Sequence, residues 1–246
     1  MVKDFKKFKC FGRIEKVLKE QGFIVYTAEI DGFGTIESNA YQLKKYIEMV
    51  KEKENVDKVN IIAHSKGGLD SKYMIISLDM EDSVASLTTL CTPHKGSPIA
   101  SKLLKLPKWM IRFISFWINF WYKIFGDEHP NCLEVCKELK RVNQEEEEVL
   151  KISEKVYCQS YSSKMHKSTD DFLMGIPHAI SMYFENVETD GVVPVDSCVF
   201  GEYKGYAIDD SISHSEIIGF MINQKKIEKV YKFYISVCEE LIKKGY

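Results

Sequence analysis

Asn60-Ile61-Ile62-Ala63-His64-Ser65-Lys66-Gly67-Gly68 is the stretch on which the reading of this chain turns. An apolar, β-type run from Val56 to Ala63 leads directly into a serine among small residues, and a helical pattern from Leu69 to Leu78 follows. Strand, serine, helix is the pattern of a nucleophile elbow, a sharp turn that holds the serine strained and exposed. Crowding in such a turn requires small residues two before and two after the serine. Ala63 and Gly67 stand there, alanine being a mild departure from the usual glycine. The turn implies acyl transfer to water with Ser65 as nucleophile.

Outward from the elbow, strands and helices alternate. Phe11 to Glu20 reads as a helix ended by Gly22, and Phe23 to Ala28 as a strand. Glu37 to Lys53 reads as a helix, Val84 to Cys91, Val156 to Ser162 and Cys198 to Ile208 as strands, and Ile217 to Lys244 as a closing helix. Alternation without a repeat predicts an α/β fold, a mostly parallel sheet covered by helices on both faces. In such sheets active sites gather beyond the carboxyl ends of the strands, where Ser65 and Thr92 fall.

The 246 residues predict a single domain, 1–246. A net charge of -2 gives no electrostatic case for a nucleic-acid partner. The seven cysteines form no zinc-spaced cluster and read as reduced structural thiols, with a Cys158–Cys198 bridge conceivable only on export. No apolar segment of a signal peptide follows the basic start, so the chain as written reads as cytoplasmic.

Residues 99–153 break the alternation. Trp109 to Phe125 is the most apolar stretch, yet it is shorter than the about 20 residues of a membrane span and contains Arg112 and Lys123. Polar residues recur every three or four positions, leaving a wide aromatic face that includes Trp109, Phe113, Phe116, Trp117, Phe120 and Trp121. The bland alternative is a core helix. The preferred reading is a helical lid that covers the site and meets a lipid or membrane interface transiently.

A serine nucleophile needs a base and an acid that orients it. Asp190, in Thr189-Asp190-Gly191-Val192-Val193-Pro194, and His214, in Ser213-His214-Ser215-Glu216-Ile217-Ile218-Gly219, follow in the order acid then histidine. His94, His129, His166 and His178 lie in contexts without an elbow, and the side chain of His64 is expected to point away from the nucleophile.

Ala63-His64-Ser65-Lys66-Gly67-Gly68, Thr92-Pro93-His94-Lys95-Gly96-Ser97, Thr189-Asp190-Gly191-Val192-Val193 and His214-Ser215-Glu216-Ile217-Ile218-Gly219 together resemble the bacterial true lipases of the α/β-hydrolase fold, the Pseudomonas/Burkholderia and staphylococcal/Bacillus groups. The resemblance spans roughly residues 11 to 220. It implies Ser65 as nucleophile, His214 as general base and acid, Asp190 as its orienting carboxylate, and the Lys66 N–H as an oxyanion-hole donor. It also implies a structural calcium held by Glu216 and Asp170 (or Asp171), whose hard oxygen donors suit that ion, and no cofactor for the chemistry. The chain departs from the family in having no His-Gly oxyanion loop after an early apolar strand, so it reads as N-terminally short. The leading expectation is triacylglycerol lipase-like cleavage of lipid esters. Its alternatives are a soluble esterase or thioesterase, and a non-catalytic lipid-surface-binding homologue lacking a complete oxyanion hole.

Overall fold

A computed structural model describes residues 11–30, 34–97, 101, 104–105, 107–108, 111, 132–139, 152–220 and 222–246. The lid residues Trp109, Phe113, Phe116, Trp117, Phe120 and Trp121 lie outside the described residues, as does most of 99–153.

The described helices are α1 (Ile14–Glu20), α2 (Ile36–Glu54), α3 (Lys66–Ser77), α4 (Cys132–Glu138), α5 (Gly175–Glu185) and α6 (Gln224–Lys243). Among the described residues four strands, β1 (Val59–His64), β2 (Val84–Leu90), β3 (Tyr157–Ser162) and β4 (Glu202–Tyr206), form one sheet in the order β1-β2-β3-β4. Every pairing is parallel, with Ala63 opposite Thr89 and Thr88 opposite Gln159.

The period-2 alternation of the strands divides the apolar side chains between two cores. On one face Leu87 and Ala63 meet Ala40, Leu43 and Ile47 of α2 and Met74 and Ile75 of α3. On the other, Leu90 and Tyr161 meet Ile14 and Leu18 of α1 and Val230, Phe233, Tyr234, Val237 and Leu241 of α6. β2 is covered on both sides, so its polar side chains need partners. Ser86 Oγ donates to Asn60 Oδ1 at 2.6 Å, and Gln159 Nε2 donates to Thr88 Oγ1 at 2.9 Å.

Helix boundaries follow local chemistry. Thr35 caps α2 by accepting from the Ser38 N–H, and Asn55 ends it in the left-handed region at φ 53°. Asn223 caps α6 in the same way through Lys226 N–H. The closing helix therefore starts at Gln224 rather than Ile217. Glu216–Ile218 forms a separate 3-10 turn, ended by Gly219 at φ 77°.

Two expectations change. The segment 23–28 forms no regular element and pairs with no described strand. Phe23 and Val25 face one core and Ala28 the other, so the alternation is real, but a strand also requires a neighbouring ladder. Helix α5 was not anticipated, because its run Gly175-Ile176-Pro177-His178-Ala179-Ile180 starts with a glycine and a proline. Proline is tolerated in the first turn, where its missing N–H has no intrahelical acceptor.

Candidate active site

Ser65 stands between β1 and α3 at φ 53° and ψ −132°. A non-glycine residue in that region is strained and persists only where its surroundings hold it. Two backbone bonds do so. Ser65 N–H donates to Leu90 O at 2.9 Å, tying the turn to the neighbouring strand, and Gly68 N–H donates to Ser65 O at 3.0 Å.

The crowding differs from the expected pattern by one residue. A Cβ at Gly67 would meet nothing within 4 Å among the described residues. At Gly68 it would lie 2.2 Å from Thr92 Oγ1. The tight position is set by α3 crossing over the end of β2.

Lys66 opens α3, so its backbone N–H has no acceptor within the helix and remains available to an oxyanion. Its side chain is committed elsewhere. Lys66 Nζ lies 2.7 Å from Asp70 Oδ1, with both side chains buried, and Asn39 Nδ2 donates to Asp70 Oδ2 at 3.0 Å. Burial pushes the Asp70 carboxyl up to about 6, against the lowering pull of Lys66 and of the Lys66 and Asn39 hydrogen bonds.

Asp190 is fully buried in a turn closed by a bridge between Thr189 and Pro194. Its Oδ1 accepts from the N–H groups of Val192 at 2.9 Å and Val193 at 2.8 Å. Gly191 gives the turn its positive φ of 109°. Asp190 Oδ2 lies 2.6 Å from His214 Nδ1, and His214 Nε2 lies 2.8 Å from Ser65 Oγ. The backbone repeats the contact, with His214 N–H donating to Asp190 O at 2.9 Å. Three residues far apart in sequence thus form one hydrogen-bonded chain from hydroxyl to buried carboxylate. Cys91 and Cys198 border Asp190 as free thiols, held well above the usual thiol range by burial and then by its charge. Cys158 is also a free thiol, so it forms no bridge with Cys198.

His64, expected to point away from the nucleophile, has a place in the site that the sequence did not suggest. Its ring lies against the His214 ring, with centroids 4.5 Å apart and planes tilted by 46°. Extended backbone alternates side chains, and with Ser65 twisted into the turn, the residue before it faces the base. The remaining described histidines are structural or peripheral. His94 Nε2 lies 3.0 Å from Thr89 Oγ1 and its ring stacks on Phe200. Burial takes it down to about 3. His178 is bonded to Ser168, and His166 is exposed.

The calcium expectation is not supported, because its two acidic residues serve other partners. Both Glu216 carboxylate oxygens accept from Lys226 Nζ, at 3.0 and 2.9 Å, and Oε2 also accepts from Ser213 N–H. Asp170 Oδ2 accepts from the N–H groups of His166 and Lys167 and from Ser211 Oγ. Among the described residues no group of three metal-ligating side chains comes together. Asp171 Oδ2 accepts from Ser213 Oγ at 2.5 Å and Ser215 Oγ at 3.0 Å, so it holds both neighbours of His214. Lys226 is the residue that sequence reasoning missed. A lysine in the first turn of a helix, ten residues from its partner, carries no local signature.

The comparisons with known proteins agree with this architecture. Residues 34–120 match the family model of a PGAP1-like alpha/beta domain. The chain is 26% identical to triacylglycerol lipase 2 of Saccharomyces cerevisiae over 95% of its own length and 73% of the yeast protein. A triacylglycerol lipase of Burkholderia plantarii is 38% identical over 90 residues, 35% of this chain and only 25% of that longer protein. Among solved structures, a metagenomic carboxyl esterase superposes with a TM-score of 0.68 at 15% identity, covering 92% of this chain and 69% of that one. Staphylococcus hyicus lipase gives 0.66 at 15% identity, over 97% and 89%. The fold is that of the α/β hydrolases, and the chain's likenesses within it are to lipases and esterases.

Proposed function

We propose that this chain is a serine carboxylester hydrolase that cleaves lipid esters in the manner of a triacylglycerol lipase. The observation that carries the reading is the Ser65–His214–Asp190 hydrogen-bonded chain at the end of β1. Ser65 Oγ attacks the acyl carbonyl as His214 Nε2 takes its proton, and buried Asp190 stabilises the imidazolium that forms. The Lys66 N–H donates to the tetrahedral oxyanion. His214 then protonates the leaving alcohol. Water, activated by the same imidazole, releases the acid from the acyl-enzyme and restores Ser65.

A lipid ester is preferred to a small soluble one for two reasons. The aromatic run of the proposed lid, within 99–153 of a single domain, suits a long acyl chain and a transient lipid interface. Ile176 and Ile180 on α5, and Phe172 in the turn before it, add apolar side chains exposed by 74%, 42% and 96%. Single exposed apolar residues are ordinary, whereas neighbouring ones point to an apolar contact surface. The likeness to yeast and bacterial triacylglycerol lipases supports the same substrate class, and the four motifs favour a position beside the bacterial true lipases. Glu216 and Asp170 would hold a structural calcium only after giving up their present partners, so none enters the mechanism.

The test compares hydrolysis of p-nitrophenyl butyrate and palmitate by the parent chain and by Ser65→Ala. Loss of activity in the variant with preference for palmitate is expected. Preference for butyrate would move the assignment to a soluble esterase. Equal rates in parent and variant would reject the enzyme and favour a lipid-surface-binding protein.

A further inference from the structure

We propose that Asp171 is a positioning residue that keeps His214 in line between Ser65 and Asp190, acting through the two serines that flank the histidine; the inference rests on the hydrolase reading above. The His214 ring is bonded at both ends, to Asp190 Oδ2 at 2.6 Å and to Ser65 Oγ at 2.8 Å. Such bonds stay in register only when the loop that carries the ring is held by further hydrogen bonds of its own. Asp171 supplies them with one oxygen. Its Oδ2 accepts from Ser213 Oγ at 2.5 Å and from Ser215 Oγ at 3.0 Å, so the chain is gripped immediately before and immediately after His214. Both serines are buried, and their hydroxyl oxygens lie 3.1 Å apart.

The other oxygen anchors the grip. Asp171 Oδ1 accepts from the N–H groups of Leu173 at 2.6 Å and Met174 at 2.9 Å, in the turn that leads into α5. Burial works to raise the Asp171 carboxyl, yet the bonds from Ser213, Met174, Ser215 and Leu173 hold it below the usual carboxylate range. It is therefore ionised at neutral pH, and hydroxyl donors bind an ionised carboxylate more strongly than a neutral acceptor. The same stretch of chain also lies against the acid of the triad. Met165 N–H donates to Thr189 O at 2.9 Å, and a Cβ at Gly191 would sit 2.9 Å from Met174 Cβ. Residues 165–174 thus touch the turn of Asp190 on one side and the loop of His214 on the other. Asp170 reaches that loop further back, at Ser211, whereas Asp171 reaches the residues adjoining the base itself. The relative placement of acid and base is set by this bridge as well as by their own bond. A misplacement of about 1 Å in such an arrangement can cost on the order of a hundredfold in rate.

A residue that merely caps the turn before α5 behaves differently from one that acts through the serines, and a mutant cycle separates the two. Asp171→Ala removes both sets of bonds. Ser213→Ala combined with Ser215→Ala removes the link to the loop and leaves the bonds to Leu173 and Met174 in place. The third member carries all three substitutions. Two readouts are taken for these, the parent and Ser65→Ala. One is kcat and KM on p-nitrophenyl butyrate. The other is the downfield proton resonance of the His214 Nδ1–H bonded to Asp190, observed by NMR. Asp171→Ala and the serine pair each lower kcat about ten- to a hundredfold with KM little changed, and each shifts or broadens the resonance. The triple variant falls no further than the worse of the two, because residues that act through one contact are not additive. Should Asp171→Ala fail to fold, Asp171→Asn, which keeps one acceptor for the α5 turn, takes its place in the cycle. Parental kcat and an unmoved resonance in the serine pair overturn the proposal, since loss confined to the Asp171 variant marks a cap of α5. Losses that multiply in the triple variant overturn it too. If parent and Ser65→Ala hydrolyse equally, the hydrolase reading fails by itself. The resonance then decides the role of Asp171, supported by a shift in the serine pair and overturned by none.

Discussion

Gly68, in the first turn of α3, packs against the side chain of Thr92 just past the end of β2, so closely that a Cβ at Gly68 would sit 2.2 Å from Thr92 Oγ1 and 2.7 Å from Cγ2. Helix and strand end cannot separate without moving Ser65, whose N–H is bound to Leu90 of the same strand. Gly68→Ala is therefore expected to destabilise the fold by about 1–3 kcal/mol, as overpacking does. Gly67→Ala should be neutral or stabilise by up to about 1 kcal/mol through helix propensity. Thermal unfolding of the two variants separates them, and equal midpoints would remove the close approach as the cause.

Asp190→Asn keeps the side-chain oxygen that accepts from Val192 and Val193, so the turn should persist. It replaces the charge facing His214 Nδ1 with an amide, which favours the wrong tautomer of the imidazole. Hydrolysis should fall about 10⁴-fold with little change in circular dichroism. Retained activity would take Asp190 out of the triad.

Lys66 and Asp70 form a buried pair, and breaking one side leaves an uncompensated charge. Lys66→Met should cost about 3–5 kcal/mol near neutral pH, and Lys66→Met with Asp70→Leu should recover most of it. The pH dependence has a definite sign. The folded-state pKa of Asp70, about 6, lies above the ordinary 3.8, so the folded protein binds this proton more tightly than the unfolded chain. Its contribution is complete below the ordinary value and is lost as pH rises through about 6. Removing Lys66 removes a lowering influence, so the single variant should regain stability on acidification from pH ~7 toward ~5. Denaturant titrations at several pH values provide the check, and a flat profile for Lys66→Met would contradict the assignment.

Glu216 and Lys226 fasten the loop of His214 to the start of α6, with side chains only 6% and 15% exposed. Lys226→Met should lower stability by about 1–3 kcal/mol and reduce hydrolysis by loosening that loop. Chelation of calcium should leave the unfolding midpoint of the parent unchanged. Both follow from calorimetry with and without EDTA, and a drop in the parent on chelation would restore calcium to the loop.

The sequence by itself determined the features that depend on local pattern. Short β-type runs announced β1, β2 and β3, because burial on both faces of a parallel sheet selects such runs wherever the chain goes. The small residues around Ser65 announced the elbow, and the order Ser65, Asp190, His214 announced the groups that the fold brings into hydrogen-bonding distance. Other features were left to tertiary structure. The alternation of apolar residues at 23–28 is a local property, but strand pairing depends on a neighbour. Glu216 looked like a metal ligand because its charge was legible, whereas the ammonium that neutralises it comes from another element. The packing of the His64 ring against His214 was not legible, because the sequence shows the strand but not the strained φ of 53° at Ser65 or the loop that brings His214 beside it. Spacing along a chain encodes faces and turns, while the partners of a charge, and the residues that steady a catalytic ring, are set by contacts between segments distant in sequence.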